Sequence, residues 1–174
     1  MNSHANEDRT LLMTVLMTPD TANFSGHVHG GSILKLLDQV AYACASRYSG
    51  HYVVTVGVDQ ITFHEPVHVG ELVTFYSSIN YIGKSSMEIG IRVIAEDIRA
   101  RTERHVVTCY FTMVAVDDNG HPTRVPPFKP ATLVDQRRWN AAEVRRKFRK
   151  EVEARSLEIR QHPKPVGVQS ETDG

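Results

Sequence analysis

Residues 31–48 read GSILKLLDQVAYACASRY, and what must surround this stretch decides the fold. Ile33, Leu34, Leu36, Leu37, Val40, Ala41, Ala43, Cys44 and Ala45 occupy more than one stripe of a 3.6-residue helix, so most of its circumference has to be covered. It reads as a core helix. The cover lies further along the chain. Met87, Ile89, Ile91, Val93 and Ala95 alternate with Glu88, Arg92 and Glu96, the period of a half-buried antiparallel strand. Before it, Val73, Phe75, Ile79 and Tyr81 alternate with Thr74, Ser78 and Asn80; after it, Val107, Cys109, Phe111, Met113 and Ala115 alternate with threonines and Tyr110. A further strand is read over residues 52–63, with a bulge near Asp59-Gln60 where the phase of Val54, Val56 and Val58 gives way to that of Ile61 and Phe63. A weak strand over residues 11–17 precedes the helix. One long helix and a sheet of about five strands, in the order strand, helix, strands, define an α+β layer architecture.

Outside this core the chain is ordinary. At 174 residues, 41% hydrophobic and 23% charged, it has the size and composition of one globular domain, set at residues 10–130. Twenty basic residues balance twenty acidic ones, so no global field draws the chain to nucleic acid or to an anionic membrane. The run over residues 11–17 is too short and wrongly flanked for a signal peptide or membrane span. Cys44 and Cys109, in apolar surroundings and without C-x-x-C spacing, read as free buried thiols of a reducing, cytoplasmic compartment. Asp117-Asp118-Asn119-Gly120 is a turn, and Val125-Pro126-Pro127 ends any strand after it. Residues 131–161 are expected to form a basic amphipathic helix, with a net of four positive charges between Asp135 and Arg160, and residues 162–174 a disordered tail. That helix is either a solvated one with a sticky stripe (Val144, Phe148, Val152) or a contact for a partner subunit or ligand phosphates.

The chemistry concentrates before and within the first helix. A polar, turn-rich passage, residues 18–29, leads to Gly30-Gly31, and glycines at a helix start leave the first N–H groups open to a substrate oxygen. The same pair could equally serve close packing of a tight entry. Asp38 follows two turns later, between Leu36-Leu37 and Val40-Ala41. It is either part of an exposed stripe with Lys35, Gln39 and Tyr42, or a general base in a cleft whose apolar walls raise its pKa. No G-x-S-x-G elbow, phosphate loop or dinucleotide loop is present. His27-x-His29 has no companion ligands and is read as no metal site. Asp97, Asp117, Glu65 and Glu71 are read as strand-end charges.

The spelling of these segments resembles a known family. Met17-x-Pro19-Asp20-Thr21-x-Asn23-x-x-Gly26-x-Val28-His29-Gly30-Gly31 and Leu37-Asp38-Gln39-Val40-Ala41 resemble the acyl-CoA hydrolases of the hotdog thioesterase group. So do Phe63-His64-Glu65-Pro66-Val67-His68-Val69-Gly70-Glu71, Gly83-Lys84-Ser85-Ser86-Met87-Glu88-Ile89 and residues 109–115, in the family's order across residues 10–130. The resemblance implies a five-stranded antiparallel sheet wrapped around the central helix and a dimer whose sheets join, usually as a trimer of dimers. It implies hydrolysis of acyl-CoA to fatty acid and coenzyme A. Asp38 would be general base or, through an anhydride, nucleophile; Asn23 of a partner subunit would hold water or carbonyl; Gly30 and Gly31 would form the oxyanion hole. The turn Gly83, Lys84, Ser85 and Ser86 would bind coenzyme A, or is a plain hairpin loop. No cofactor is expected, coenzyme A being part of substrate and product. A non-catalytic acyl-CoA-binding hotdog and a hotdog dehydratase are the competing classes.

Overall fold

The computed structural model describes residues 9–161; the expectations for residues 1–8 and for the tail over residues 162–174 lie outside them. In chain order the elements are β1 (Thr10–Leu16), a 3₁₀ turn (Pro19–Thr21), α1 (Gly30–Ser49), β2 (Tyr52–Val58), β3 (Thr62–Phe63), β4 (Leu72–Ile82), β5 (Ser86–Asp97), β6 (Thr102–Val116) and α2 (Leu133–Gln161). The strands form one antiparallel sheet in the order β1-β4-β5-β6-β2, with the short β3 pairing β6 beyond the end of β2. The expected five-stranded path is therefore present, with β3 added.

One face of this sheet buries one side of α1; Leu34, Lys35, Asp38, Gln39 and Tyr42 stay exposed, so within one copy the helix is not covered around most of its circumference as expected. Ile33, Leu37, Val40, Ala41, Cys44 and Ala45 meet the inward residues of the strands, among them Val73, Phe75, Ile89, Ile91, Val93, Cys109, Phe111 and Met113. These strand residues are the ones whose period-two spacing marked them for the core. α1 stops at Gly50, whose left-handed φ of 71° suits a residue without Cβ, and whose N–H caps Ser46 O at 2.9 Å. Both cysteines are buried, and burial pushes the Cys44 thiol up to about 11 and that of Cys109 up to about 12, so neither forms a thiolate at neutral pH.

Two readings change. The strand expected over residues 52–63 is interrupted at residues 59–61, and its register shift lies earlier, between Thr55 and Gly57. Asp59 still donates its N–H to Tyr110 O at 3.0 Å, but its carboxylate pairs with Arg149 of α2 at 2.7 Å. Second, α2 is solvated over part of its length only. Its first half lies on the outer face of the sheet, where Trp139 meets Tyr81 and Phe128 at ring-centroid distances of 4.5 and 5.3 Å and Ala142 is buried. Arg145 lies 3.5 Å over the Tyr110 ring and donates to Glu88 at 2.6 Å, and Arg149 joins the same carboxylate at 3.4 Å. Glu88 is thus 3% exposed under two guanidinium groups, which offset the cost of burying its charge.

Candidate active site

Asn23 is positioned by its own loop. Its side-chain oxygen accepts hydrogen bonds from Ser25 N–H (2.9 Å), Ser25 Oγ (2.7 Å) and His27 N–H (3.2 Å). With the oxygen engaged, the group Asn23 can offer a ligand is its Nδ2 donor pair. It lines a cleft of about 420 Å³ with His27, Gly30, Phe63, His64 and Glu65. The chain enters α1 at the floor of this cleft.

The two glycines there are not equivalent. His29 is the N-cap, and its Nδ1 accepts the Gly31 N–H at 2.9 Å, so that donor is engaged. The Gly30 N–H has no partner among the described residues. A Cβ on Gly30 would meet only the Phe63 ring, at an ordinary 3.9 Å, so packing within this chain does not demand glycine there. At Gly31 a Cβ would press on the His29 ring at 3.2 Å. An open N–H beside a cleft favours the oxyanion reading for Gly30, while Gly31 is committed to the cap.

Asp38 lies on the one exposed strip of α1, with Lys35, Gln39 and Tyr42, and not in an apolar-walled cleft of its own chain. Of the two readings left open for Asp38, the exposed stripe is the one seen within a single copy. Its Oδ1 accepts the Thr55 hydroxyl of β2 at 2.7 Å, and no other side-chain hydrogen bond to Asp38 is present among the described residues. Thr55 was missed in the sequence, although a signal existed: it follows the buried Val53 by two residues, a hydroxyl in the inward phase of a strand. β2 is the last strand of the sheet, so the Asp38–Thr55 pair stands at an open edge.

The wall of the Asn23 cleft is fixed from below. Arg104 grips Glu71 through both oxygens at 2.7 Å and donates to Pro66 O at 2.6 Å, while Glu71 also accepts the His68 N–H at 2.8 Å. Glu71 is therefore a buried clamp and not a loose strand-end charge. Asp97 and Asp117 do sit in turns, accepting N–H groups of residues 99 and 100 and of residues 119 and 121. Burial pushes the Glu71 carboxyl up, but hydrogen bonds from Arg104 and His68 and the Arg104 charge outweigh it and hold the group below its ordinary range. A depressed carboxyl contributes stability that is present above its unfolded value and lost as pH falls through the folded one. Wild type is thus expected to unfold at a higher temperature than Glu71→Gln near neutral pH, with the gap closing as the pH falls below the ordinary carboxylate range. A gap that stays constant across that titration would contradict the clamp.

The turn Gly83, Lys84, Ser85, Ser86 joins β4 to β5, and its carbonyls are held: Lys84 O accepts from Val125 N–H (3.2 Å) and Ser85 O from Ala115 N–H (2.9 Å). A Cβ on Gly83 would lie 2.7 Å from Ser86 Oγ, so that hydroxyl would have to turn away. Residue 126 next to this contact accepts the Tyr48 hydroxyl, which puts the turn near the C-terminal end of α1. The Asn23 cleft is at the other end, about 30 Å away along a 20-residue helix. Within one copy, the turn and the cleft cannot share a ligand headgroup. His27 packs against His68 at a centroid distance of 4.9 Å, and among the described residues no cluster of three metal-ligating side chains exists.

A long helix packed against an antiparallel sheet, with a carboxylate on the helix at an open sheet edge and a free N–H at its start, has the architecture of a hotdog protein. A thioesterase superfamily model matches residues 25–102. Protein VdlD of Helicobacter pylori is 51% identical over 143 residues, 82% of each chain. A Zymomonas mobilis protein named as an acyl-CoA thioester hydrolase is 34% identical over 129 residues, 71% of this chain and 83% of that one. An acyl-CoA hydrolase from Staphylococcus aureus, solved with butyryl coenzyme A, coenzyme A and coenzyme A disulfide, matches with TM-score 0.80 at 25% identity over 90% of this chain and 95% of that one. A hexameric acyl-CoA thioesterase matches with TM-score 0.82 at 29% identity over 85% and 95%. The chain belongs to the acyl-CoA thioester hydrolase family of hotdog thioesterases. Among the described residues no helix is long and apolar enough to cross a membrane.

Proposed function

We propose that this protein hydrolyses acyl-coenzyme A thioesters to free acid and coenzyme A, at a site that two copies of the chain build together. The observation that carries the proposal is the Asp38 carboxylate, on the exposed strip of α1 beside the open β2 edge and held through one oxygen by Thr55. With Oδ1 fixed, Oδ2 is left to accept a proton from water. The hydroxide so formed attacks the thioester carbonyl carbon, and the oxyanion is met by the Gly30 N–H and the Asn23 Nδ2 donors. The C–S bond then breaks, and the proton held by Asp38 passes to the departing thiolate.

Joining two sheets at their β2 edges brings the cleft of one copy, with Asn23 and Gly30, to Asp38 of the other. It also supplies the Gly83–Ser86 turn from the second copy, where Lys84, exposed, can face the phosphates of coenzyme A. The hexameric state of a structural relative supports assembly of dimers into a trimer of dimers. Thiol release from a panel of acyl-CoAs is the direct test, with one free thiol expected per acid formed; absence of thiol from every chain length would reject the proposal. Thr55→Val keeps shape but removes the hydroxyl that positions the base. We expect kcat to fall roughly 10- to 100-fold, the size of one hydrogen bond to a charged group, with KM little changed. An unchanged kcat would remove Thr55 from the site.

A further inference from the structure

α2 is longer than the surface it covers. Trp139 meets Tyr81 on β4, Arg145 meets Glu88 on β5 and Tyr110 on β6, and Arg149 meets Asp59 just past the end of β2. From Trp139 to Arg149 the helix advances about 15 Å at 1.5 Å per residue. The three strand spacings from β4 to β2 amount to about 14 Å at 4.8 Å each. The lengths agree, so α2 runs across the strands and reaches the β2 edge at Arg149. It then continues from Lys150 to Gln161, about 18 Å further, and every residue of that segment is exposed.

A helix segment with nothing beneath it is marginal in water. The side that faces the sheet through Trp139, Ala142, Arg145 and Arg149 continues at the same spacing of three and four residues as Val152, Ser156 and Ile159. Val152 is 52% and Ile159 64% exposed, two apolar side chains aimed where the sheet has run out. In the dimer of the preceding section, on which this inference rests, the sheet does not run out: a second β2, β6 and β5 follow.

We infer that Lys150–Gln161 of each copy is an arm laid on the outer face of the other copy's sheet. Measured from Arg149, Val152 lies about 5 Å on, Ser156 about 10 Å and Ile159 about 15 Å, the positions of the second copy's β2, β6 and β5 at 4.8 Å spacing. We place the two-fold axis at Val56, the middle and most exposed of the run Val54, Val56, Val58 on the free β2 edge, which sets Asp59 of one copy beside residues 53 and 54 of the other. The outward residues of that row are Val54, its ladder partner Val114 and, next, Ser86. Val54 is exposed and Val114 half-buried, so the arm's valine meets an apolar surface. By symmetry each copy gives an arm and receives one.

The native thiols are buried, which makes cysteine cross-linking specific. Val54→Cys combined with Val152→Cys is expected to give a covalent dimer on oxidation, seen on a non-reducing denaturing gel, with neither single variant cross-linking. Absence of that band, or a ladder beyond dimer, in a protein that sediments as a dimer or a multiple of it overturns the arm while leaving the proposed activity standing. A full-length chain that sediments as a monomer overturns the dimer itself. Truncation after Arg149 gives an independent reading: the dimer dissociation constant is expected to rise at least about tenfold with the folded core intact by circular dichroism. An unchanged constant overturns the inference.

Discussion

Asp38→Asn is expected to lower the rate of acyl-CoA hydrolysis roughly 10²- to 10⁴-fold, the range for removal of a positioned general base. The substitution preserves shape and can still meet the Thr55 hydroxyl. It removes only the negative charge that accepts a proton from water. The loss is expected in kcat, because Asp38 acts on the attacking water and not on the coenzyme, and KM for acyl-CoA should stay within a few-fold of wild type. Stability should also be unchanged, since an exposed surface carboxylate contributes little to it. Full activity in Asp38→Asn would end the assignment of Asp38 as base. Loss of coenzyme A binding together with activity would instead make it a binding group.

Leu37→Ala, one residue away, is expected to do the reverse. Leu37 is 0% exposed and points from α1 into the core formed with the strands. Truncation removes the Cγ and both Cδ atoms at the centre of a close-packed layer, and costs about 2–5 kcal/mol according to how far the neighbours relax. Thermal or denaturant unfolding measures that cost directly. At temperatures where the variant remains folded its kcat should stay near wild type, because Asp38 projects about 100° around the helix from Leu37, on the exposed strip. A cost under about 1 kcal/mol would mean that α1 is not the packed centre of the fold.

These two neighbours also show what the chain reveals on its own. Burial of Leu37 follows from helical spacing, and the inward residues of β4, β5 and β6 follow from period-two alternation, because both are set by residues close in sequence. Asn23 and Asp38 were singled out through family resemblance; physical reading alone left Asp38 between an exposed stripe and a base. Within one copy the structure shows the stripe exposed; in the proposed dimer it faces the second copy. What stayed hidden depends on contacts distant in sequence. Thr55 meets Asp38 only after β2 folds back along α1, and His29 shows its cap on Gly31 only once the helix start is fixed. Arg145 and Arg149 read as solvated charges, since nothing local shows that Glu88, near the start of β5, lies beneath them. The Asp59–Arg149 pair beside the break after β2 is hidden for the same reason, its partners lying 90 residues apart.

The two-copy site is the central claim, and subunit mixing tests it most directly. Asn23→Ala and Asp38→Asn are each expected to be nearly inactive as pure proteins, because every site lacks one partner. When the two are unfolded together and refolded as a mixture, about half the dimers are hybrids, and each hybrid holds one site with both Asn23 and Asp38 intact. Activity should therefore return to about one quarter of wild type. A mixture that stays as inactive as its components, although hybrid dimers have formed, would place Asn23 and Asp38 in the same copy and contradict the account.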